Sequence, residues 1–244
     1  MTGFDLEQQQ VVVTGAARGI GLAIANRFQA LGAIVCGWDI DVSPIENHQA
    51  FSNVVGVDVS NETSVAAALE ATLDQLGHID VLVANAGVNG PTKPAWEYSL
   101  DEWRQVLDVD LTGVFLSTRA VVPQMRARDY GRIVIVSSIA GKEGNSDACA
   151  YGAAKAGVIG YAKGLARELL PGNITVNTVA PVITETDLFD EMTADYIADK
   201  KSRIPMQRFC STDEIADMTA WVASPRCSFT TGQTFDVSGG RATY

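Results

Sequence analysis

VVVTGAARGIGLAIANRFQAL, residues 11–31, joins a valine run to a helix-forming segment through a turn that contains three glycines. Glycine allows a tight turn and a close approach of the backbone to a ligand. The start of the following helix presents unpaired N–H groups and the positive end of the helix dipole, which together suit a pyrophosphate. The segment therefore predicts a strand, a phosphate-binding turn and a helix. A purely structural turn, or a site for another phosphate, has the same pattern.

Strand-forming and helix-forming segments alternate along the rest of the chain. Further strands are predicted at 33–38, 54–57, 79–83, 133–136, 174–179 and 234–237, and helices at 62–76, 101–126, 212–223 and from 149 onward. The expected helix caps are Asn61, either Ser99 or Asp101, and Thr212. This alternation predicts an α/β fold: a single domain over residues 1–244 with a doubly wound (Rossmann) parallel sheet of about seven strands and helices on both faces.

Composition and charge exclude several classes of protein. The formal net charge is −11 and no basic stretch offsets it, which argues against a nucleic-acid or anionic-membrane surface. The N-terminus lacks signal-peptide features, and no apolar run approaches the roughly 20 residues of a membrane span. Four cysteines and two histidines are scattered, so they predict no metal site, no disulfide framework and no Ser/His couple. We expect a cytoplasmic protein that acts on a small-molecule substrate.

The stretch GRIVIVSSIAGKEGNSDACAYGAAKAGVIG, residues 131–160, carries the candidate catalytic groups. A predicted strand ends at two serines, and the helix-forming run after it contains Tyr151 and Lys155. Residues four apart share a helix face, where a fixed ammonium favours ionisation of a neighbouring phenol. Ser138 stands at the carboxyl end of the strand, where α/β sheets bind ligands. We interpret the three side chains as a general acid/base site, although a Tyr and a Lys at this spacing also occur on ordinary surface helices.

Ser138 and Tyr151-x-x-x-Lys155, with Thr14-Gly-x-x-x-Gly-x-Gly near the start, resemble the short-chain dehydrogenase/reductase family over nearly the whole chain. The resemblance implies an oxidoreductase in which Tyr151 exchanges the hydroxyl proton and Ser138 hydrogen-bonds the same oxygen. It also implies that Lys155 holds the nicotinamide ribose. Relatives usually carry Asn, the fourth member of the catalytic set, where this chain has Asp110. We expect Asp110 to keep that place, with its carboxylate offsetting part of the positive charge of Lys155.

The residue at the end of the second predicted strand indicates the cofactor. Asp39 stands eighteen residues after Gly21, where a carboxylate accepts hydrogen bonds from the adenosine ribose hydroxyls and repels a 2′-phosphate. Arg18 argues in the other direction, because a basic residue there often helps NADP-using relatives to hold that phosphate. No second basic residue closely follows Asp39, so the sequence favours NAD. A helix cap or turn is the alternative role for Asp39.

The resemblance assigns the rest of the cofactor site. The segment PVITET, residues 181–186, replaces the family pattern Pro-Gly-x-Ile-x-Thr and differs from it at two positions. The full set of expected cofactor-binding residues is Gly15, Arg18, Gly19, Ile20, Gly21, Asp39, Asp58, Val59, Asn85, Ala86, Gly87, Tyr151, Lys155, Pro181, Thr184 and Thr186.

Three loops are expected to surround the substrate. Besides Ser138 and Tyr151, the candidate contacts are Asn89, Lys93, Lys142, Asn145 and Arg203. Each alone is more often a solvated surface residue, but together they suit a polyhydroxylated or carboxylated substrate. We interpret the polar insertion at about 187–208 as a lid that excludes water. The tail, RATY, is expected either to fray or to pack on a neighbouring subunit.

The function predicted from these features is an NAD-dependent interconversion of a secondary alcohol and a ketone. The segments NGPTKPAWEY, AGKEGN and SGGRATY resemble those of sugar-acid-oxidising members, so the expected substrate is a sugar acid, such as a 2-keto-3-deoxy sugar acid, or another polyol. The family analogy implies a homotetramer. One alternative is a 3-ketoacyl-thioester reductase of lipid metabolism, which generally uses NADPH. The other is a non-catalytic NAD-binding redox sensor, which is expected to lack the Tyr or the Lys.

Overall fold

The computed structural model describes residues 6–184, 198–199 and 201–244, and these contain a seven-stranded sheet. The strands are β1 (Gln10–Thr14), β2 (Ile34–Asp39), β3 (Asn53–Gly56), β4 (Val81–Ala84), β5 (Gly131–Val136), β6 (Ile174–Pro181) and β7 (Thr234–Val237). Their order is β3-β2-β1-β4-β5-β6-β7, and every neighbouring pair is parallel. The predicted parallel sheet is confirmed, with small shifts at strand ends of the kind that different boundary definitions also produce.

Helices connect the strands and cover the sheet. They are α1 (Gly19–Ala30), α2 (Glu62–Leu76), α3 (Leu100–Leu107), α4 (Gly113–Arg128), α5 (Ala140–Glu143), α6 (Cys149–Glu168) and α7 (Thr212–Ala223). Asn61 caps α2 as predicted, accepting a hydrogen bond from Ser64 N at 3.0 Å. Of the two candidates for α3, Ser99 is the cap. The prediction for α7 is wrong: Thr212 is the first helical residue, and Ser211 before it has the extended backbone that lets a side chain cap the helix.

The two faces of the sheet have separate apolar cores. Successive strand residues point to opposite faces, and neighbouring valines of β1 accordingly divide between the cores. Val13 packs in one cluster with Phe28 of α1 and Ala220 of α7, whereas Val12 packs in the other with Val158 of α6. Each fully buried Val or Phe side chain contributes about 1.5–3 kcal/mol. The prediction of helices on both faces is confirmed.

The direction in which the sheet grows reverses at β1. This strand pairs with β2 on one side and with β4 on the other. The connections that follow β1 and β4 therefore leave toward opposite faces and open a crevice at the carboxyl ends of the strands, where sheets of this kind bind ligands.

A π-helical turn, Asp108–Thr112, joins α3 to α4 where the sequence predicts one uninterrupted helix. Such turns are rare and occur frequently at functional sites. Asp110 lies in this turn and is completely buried, whereas Asp108 is exposed. The apolar periodicity on both sides of the turn is that of an ordinary helix, so it carries no signal for the turn.

Candidate active site

The glycine turn after β1 is fixed against the end of β4. Gly15 has φ +64°, and a Cβ there would lie 2.8 Å from Ala86 Cα. The Asn85 side chain donates to the main-chain oxygens of Thr14 at 3.0 Å and Gly15 at 3.1 Å. In return, Thr14 Oγ1 accepts hydrogen bonds from the N–H groups of Asn85 and Ala86, each at 3.0 Å. The predicted site residues do not include Thr14, although it stands in the glycine motif.

The start of α1 is open toward the crevice. Arg18 is exposed at the N-cap and its side chain makes no capping hydrogen bond. Gly19 has φ +54°, and a Cβ there would meet no atom within 4 Å, whereas a Cβ on Gly21 would lie 2.0 Å from Gly15 O. Ile20 between them is partly buried against the core. Unpaired helical N–H groups facing free space fit the pyrophosphate of a dinucleotide.

Asp39 lies at the end of β2, beside the same turn. Its Oδ2 accepts a hydrogen bond from Ala17 N at 2.9 Å, and its Oδ1 accepts one from Asp41 N at 3.3 Å. Asp39 therefore has the turn-stabilising role that is the alternative in the sequence interpretation. A carboxylate has about four acceptor positions, so these two bonds leave capacity for ribose hydroxyls.

Asp58 and Val59 follow β3 at the carboxyl end of the sheet. Asp58 Oδ1 accepts hydrogen bonds from the Ser60 amide at 2.9 Å and from its hydroxyl at 2.6 Å, so this carboxylate is held within its own turn. Val59 is buried, and a Cβ on Gly113 would lie 2.9 Å from Val59 Cγ2. This close packing fixes Val59 against the first turn of α4.

The candidate catalytic helix is bound to the end of β5 through Lys155. Ser137 Oγ donates to Lys155 O at 2.8 Å, and Lys155 Nζ donates to Val136 O at 3.1 Å. Lys155 Nζ also lies 5.6 Å from the centre of the Tyr151 ring. Tyr151 is partly buried and packs against the cluster formed by Val106, Ala150 and Ala154. The ammonium and the phenol thus share one wall of the crevice, and Ser137, which is not among the predicted residues, holds that wall in place.

Ser138 is directly at the carboxyl end of β5. It is almost buried, and its Oγ accepts a hydrogen bond from Ala140 N at 3.1 Å. The hydroxyl proton of Ser138 therefore remains available for a bond to a ligand. The short helix α5, which Ala140 begins, packs tightly on α6, because a Cβ on Gly141 would lie 2.6 Å from the main-chain carbon and oxygen of Lys155.

Asp110 and Lys155 form a buried ion pair beside the crevice. Asp110 Oδ2 lies 3.4 Å from Lys155 Nζ, and Asp110 Oδ1 accepts a hydrogen bond from Val88 N at 2.7 Å. A Cβ on Gly87 would lie 3.1 Å from Asp110 Oδ2 and 3.2 Å from Lys155 Nζ. Burial raises the pKa of Asp110 above its usual value, and the charge of Lys155 opposes that rise. Ala86 and Gly87 thus connect this pair to the glycine turn.

The structure describes two of the three predicted cofactor-binding residues at 181–186. Pro181 is the last residue of β6, and its carbonyl oxygen accepts a hydrogen bond from Ile139 N at 3.0 Å. Thr184 is buried and its hydroxyl donates to Val182 O at 2.9 Å. Thr186 and most of the predicted lid at 187–208 lie outside the described residues.

The candidate substrate residues differ in what their side chains contact. Lys93 Nζ lies 2.7 Å from Glu102 Oε1, and Arg203 lies 2.8 Å from Asp199 Oδ2. Lys142 Nζ lies 2.7 Å from Asp236 Oδ2 of β7. The positive charges of Lys93, Lys142 and Arg203 are thus paired with carboxylates. The sequence analysis did not predict these pairs. The partners of Lys93 and Lys142 come from other segments, and Asp199 lies four residues before Arg203, the spacing of neighbours on a helix face. Two candidates are exposed amides: Asn89 and Asn145.

The described residues hold neither a metal-binding cluster nor a membrane-spanning helix. No three His, Cys, Asp or Glu side chains in these ranges are placed to hold a metal ion. None of the helices in the same part of the chain is long and apolar enough to cross a membrane.

Comparison with known proteins gives matches over nearly the whole chain. A family model described as Enoyl-(Acyl carrier protein) reductase matches residues 15–242. The 2-dehydro-3-deoxy-L-rhamnonate dehydrogenase (NAD(+)) of Sphingomonas sp. (strain SKA58) is 42% identical over 236 residues, covering 96% of this chain and 95% of the relative. A 3-oxoacyl-(acyl-carrier-protein) reductase of Vibrio cholerae is 37% identical over 240 residues, covering 97% and 98%. The crystal structure of a 3-ketoacyl-(acyl-carrier-protein) reductase from Brucella melitensis complexed with NADH has a TM-score of 0.91 at 32% identity, covering 98% of this chain and 100% of that one.

Proposed function

Because the chain belongs to the short-chain dehydrogenase/reductase family, we propose that it is an enzyme that interconverts a secondary alcohol and a ketone with NAD as cofactor. The observation that carries this proposal is the Lys155 ammonium, 5.6 Å from the centre of the Tyr151 ring. Both side chains lie near the carboxyl end of β5, and Gly87 connects Lys155 to the glycine turn. An acid/base pair beside a dinucleotide site supports a dehydrogenase.

The substrate that we propose is a sugar acid, such as a 2-keto-3-deoxy sugar acid, or another polyol. This follows from the relative that is 42% identical, whose name specifies a 2-dehydro-3-deoxy-L-rhamnonate dehydrogenase. The exposed amides of Asn89 and Asn145 support a hydroxylated substrate because they can both donate and accept hydrogen bonds. With Lys93 and Arg203 paired to carboxylates, we expect the net positive charge of the pocket to be small.

In the oxidation direction, the Tyr151 phenolate removes the proton of the substrate hydroxyl. Ser138 donates a hydrogen bond to the same oxygen, since its Oγ already accepts one from Ala140 N. Proton-transfer groups of this kind are worth about 10²- to 10⁴-fold in rate. When bound, NAD supplies the acceptor for the hydride that leaves the carbinol carbon.

Lys155 has the donors that its proposed role requires. An ammonium has three N–H groups; one is directed to Val136 O, and another faces Asp110. The remaining donor is available for a ribose hydroxyl. The ionised carboxylate of Asp110 offsets part of the positive charge that Lys155 places beside Tyr151.

NAD suits the residues at the end of β2. Asp39 retains acceptor capacity for the adenosine ribose hydroxyls, and its negative charge opposes a 2′-phosphate. The side chain of Arg18 is exposed and does not offset this preference in the way that a pair of basic residues would.

We also propose a single domain over residues 1–244, a substrate lid at about 187–208, and a cytoplasmic homotetramer. The lid follows from the polar insertion before Ile204. The assembly follows from the family analogy, and the exposed side chains of Phe115 on α4 and Phe229 are candidates for burial in its interfaces. Light scattering coupled to size exclusion would measure the assembly.

A 3-ketoacyl-thioester reductase is the second candidate, because relatives with that name match nearly the whole chain. The Brucella melitensis structure contains NADH. A preference for NAD therefore does not by itself separate a sugar-acid dehydrogenase from a ketoacyl-thioester reductase. A non-catalytic NAD-binding redox sensor is less well supported, since Tyr151 and Lys155 are both present.

The test is a substrate panel with NAD and NADP, followed by absorbance of the reduced cofactor. Sugar acids and polyols are expected to give a higher kcat/KM than 3-hydroxyacyl thioesters. Preference for the thioesters would replace the proposed substrate with that of the alternative. An inactive protein that binds NAD tightly would favour the sensor.

A further inference from the structure

The C-terminal tail, residues 241–244, lies against α5, the four-residue helix after the candidate catalytic serine. Arg241 Nε is 2.9 Å from Glu143 Oε2. Tyr244 OH donates to Lys142 O at 2.5 Å, and the centre of its ring lies 4.7 Å from Lys142 Nζ. These contacts join residues about a hundred positions apart, so the tail is held by the wall of the active site. The tail is therefore not frayed, and its packing on a neighbouring subunit stays a prediction.

The helix α5 is also fixed to the sheet. Lys142 Nζ lies 2.7 Å from Asp236 Oδ2 of β7, and the Lys142 side chain is only 8% exposed. A charge pair of this burial is screened by solvent less than a surface pair. Lys142 therefore anchors α5 to β7 while its carbonyl oxygen receives the tail.

Two members of the candidate catalytic set, Ser138 and Lys155, contact α5. The first residue of α5, Ala140, donates its N–H to Ser138 Oγ at 3.1 Å. The next residue, Gly141, lies so close to Lys155 that a Cβ would be 2.6 Å from its main-chain carbon and oxygen. A displacement of α5 consequently changes the position of the Ser138 hydroxyl relative to Lys155.

The turn that leads into the tail contacts the end of the proposed lid. Gly239 has φ +59°, and a Cβ there would lie 2.7 Å from Ile204 Cγ2. Gly239 O accepts a hydrogen bond from Met206 N at 3.1 Å. Residues 238–244 thus connect the segment at 204–206 to α5.

We propose that the C-terminal tail is a positioning element for the reaction. Arg241 and Tyr244 act through Glu143 and Lys142 to hold α5, and α5 holds the Ser138 hydroxyl where it meets the substrate oxygen. This inference rests on the proposed dehydrogenase function. Arg241 and Tyr244 contact α5, so their removal should affect kcat rather than the KM for NAD.

Single substitutions in the tail test the proposal. Arg241→Ala and Tyr244→Ala are each expected to lower kcat about tenfold, because a misplacement of about 1 Å costs up to 10²-fold. The KM for NAD should stay within about twofold in both variants. Arg226→Ala, which removes an exposed arginine from the loop before β7, is the control and should keep the wild-type kcat. Thermal unfolding verifies that each variant is folded.

A charge exchange separates positioning from a general loss of packing. Arg241→Glu places two carboxylates together and should lower kcat by more than Arg241→Ala. Adding Glu143→Arg to Arg241→Glu restores an opposite-charge pair and should recover at least about half of the lost kcat. Tail variants with the kcat of Arg226→Ala, or a double variant no better than Arg241→Glu, would overturn the proposal.

Hydrogen exchange gives a readout that needs no substrate. Amides at 138–144 should exchange faster in Arg241→Ala than in wild type, and at the wild-type rate in Arg226→Ala. If wild type oxidises no substrate in the panel, the proposed function fails, and faster exchange still supports the mechanical link between tail and α5. If wild type is active and kcat does not change in the tail variants, the positioning proposal alone fails.

Discussion

Asp110 Oδ2 lies 3.4 Å from Lys155 Nζ, and the two side chains are 0% and 5% exposed. At this position the resemblance predicts a neutral Asn, so the chain has a buried carboxylate where an uncharged amide is expected. Burial raises the pKa of Asp110 although Lys155 opposes the rise. The ionised carboxylate is therefore held at a free-energy cost that a neutral amide avoids.

Asp110→Asn should change the pH dependence of stability. A carboxyl with a raised pKa binds more protons in the native state than in the unfolded state. The stability it contributes is fully present below its usual pKa of 3.8 and is lost as pH rises through the raised value. Thermal unfolding of both proteins, followed from pH 3.8 upward, should show the wild-type midpoint falling relative to the variant. A wild-type midpoint that rises relative to the variant would refute this interpretation of the pair.

The two neighbouring serines should have separable roles. Ser138→Ala removes the proposed bond to the substrate oxygen and is expected to lower kcat by at least about 10²-fold with little change in stability. Ser137→Ala removes the hydrogen bond to Lys155 O and should lower the free energy of unfolding by about 0.5–1.5 kcal/mol. Steady-state kinetics and denaturant unfolding measure the two effects. The assignment is wrong if Ser137→Ala has the larger loss of kcat.

Asp39→Asn should relax the choice between nicotinamide cofactors. The amide oxygen can still accept from Ala17 N, which Asp39 Oδ2 does at 2.9 Å, while the negative charge is removed. We expect the ratio of kcat/KM for NAD to that for NADP to fall at least about tenfold, in line with the loss of charged hydrogen bonds. Asp74→Asn, which neutralises an exposed carboxylate on α2, is the matched control and should keep the wild-type ratio. An unchanged ratio in Asp39→Asn would argue against its role in cofactor selection.

Two glycines should respond oppositely to alanine. Gly15→Ala places a Cβ 2.8 Å from Ala86 Cα at a φ of +64°, and such strain costs about 1–3 kcal/mol. Gly160 lies inside α6, where an added Cβ would meet no atom within 4 Å, so Gly160→Ala should stabilise by about 0.5–1 kcal/mol. Urea unfolding measures the free energy of unfolding of both variants, provided that their dependence on urea concentration (the m value) equals that of wild type. Equal stability of the two variants would contradict the close approach at the glycine turn.

Local patterns were sufficient to predict most of the fold. The predicted helix at 62–76 has the observed bounds of α2, because an apolar residue at every fourth position and the cap at Asn61 agree. The predicted serine, tyrosine and lysine also lie at one end of the sheet, since the strand that precedes them fixes their location.

Features that depend on distant segments were beyond such patterns. Lys142 looks like a free substrate contact in the sequence, but its partner Asp236 is 94 positions away, and only folding brings β7 next to α5. The π turn at Asp108–Thr112 interrupts a segment whose apolar periodicity is that of an ordinary helix, so the periodicity does not predict it. The predicted cap of α7 is wrong by one residue. Ser211 and Thr212 are both of a type that caps helices, and only the backbone conformation shows that Ser211 is the cap.

The measurement that most directly tests the dehydrogenase assignment is single-turnover reduction of NAD by Tyr151→Phe, with the affinity for NAD measured separately by titration. The variant keeps the ring beside Lys155 and loses only the hydroxyl. A rate at least about 10²-fold below wild type with an affinity within about threefold is the expected result. A variant that reduces NAD at the wild-type rate would show that another group removes the proton.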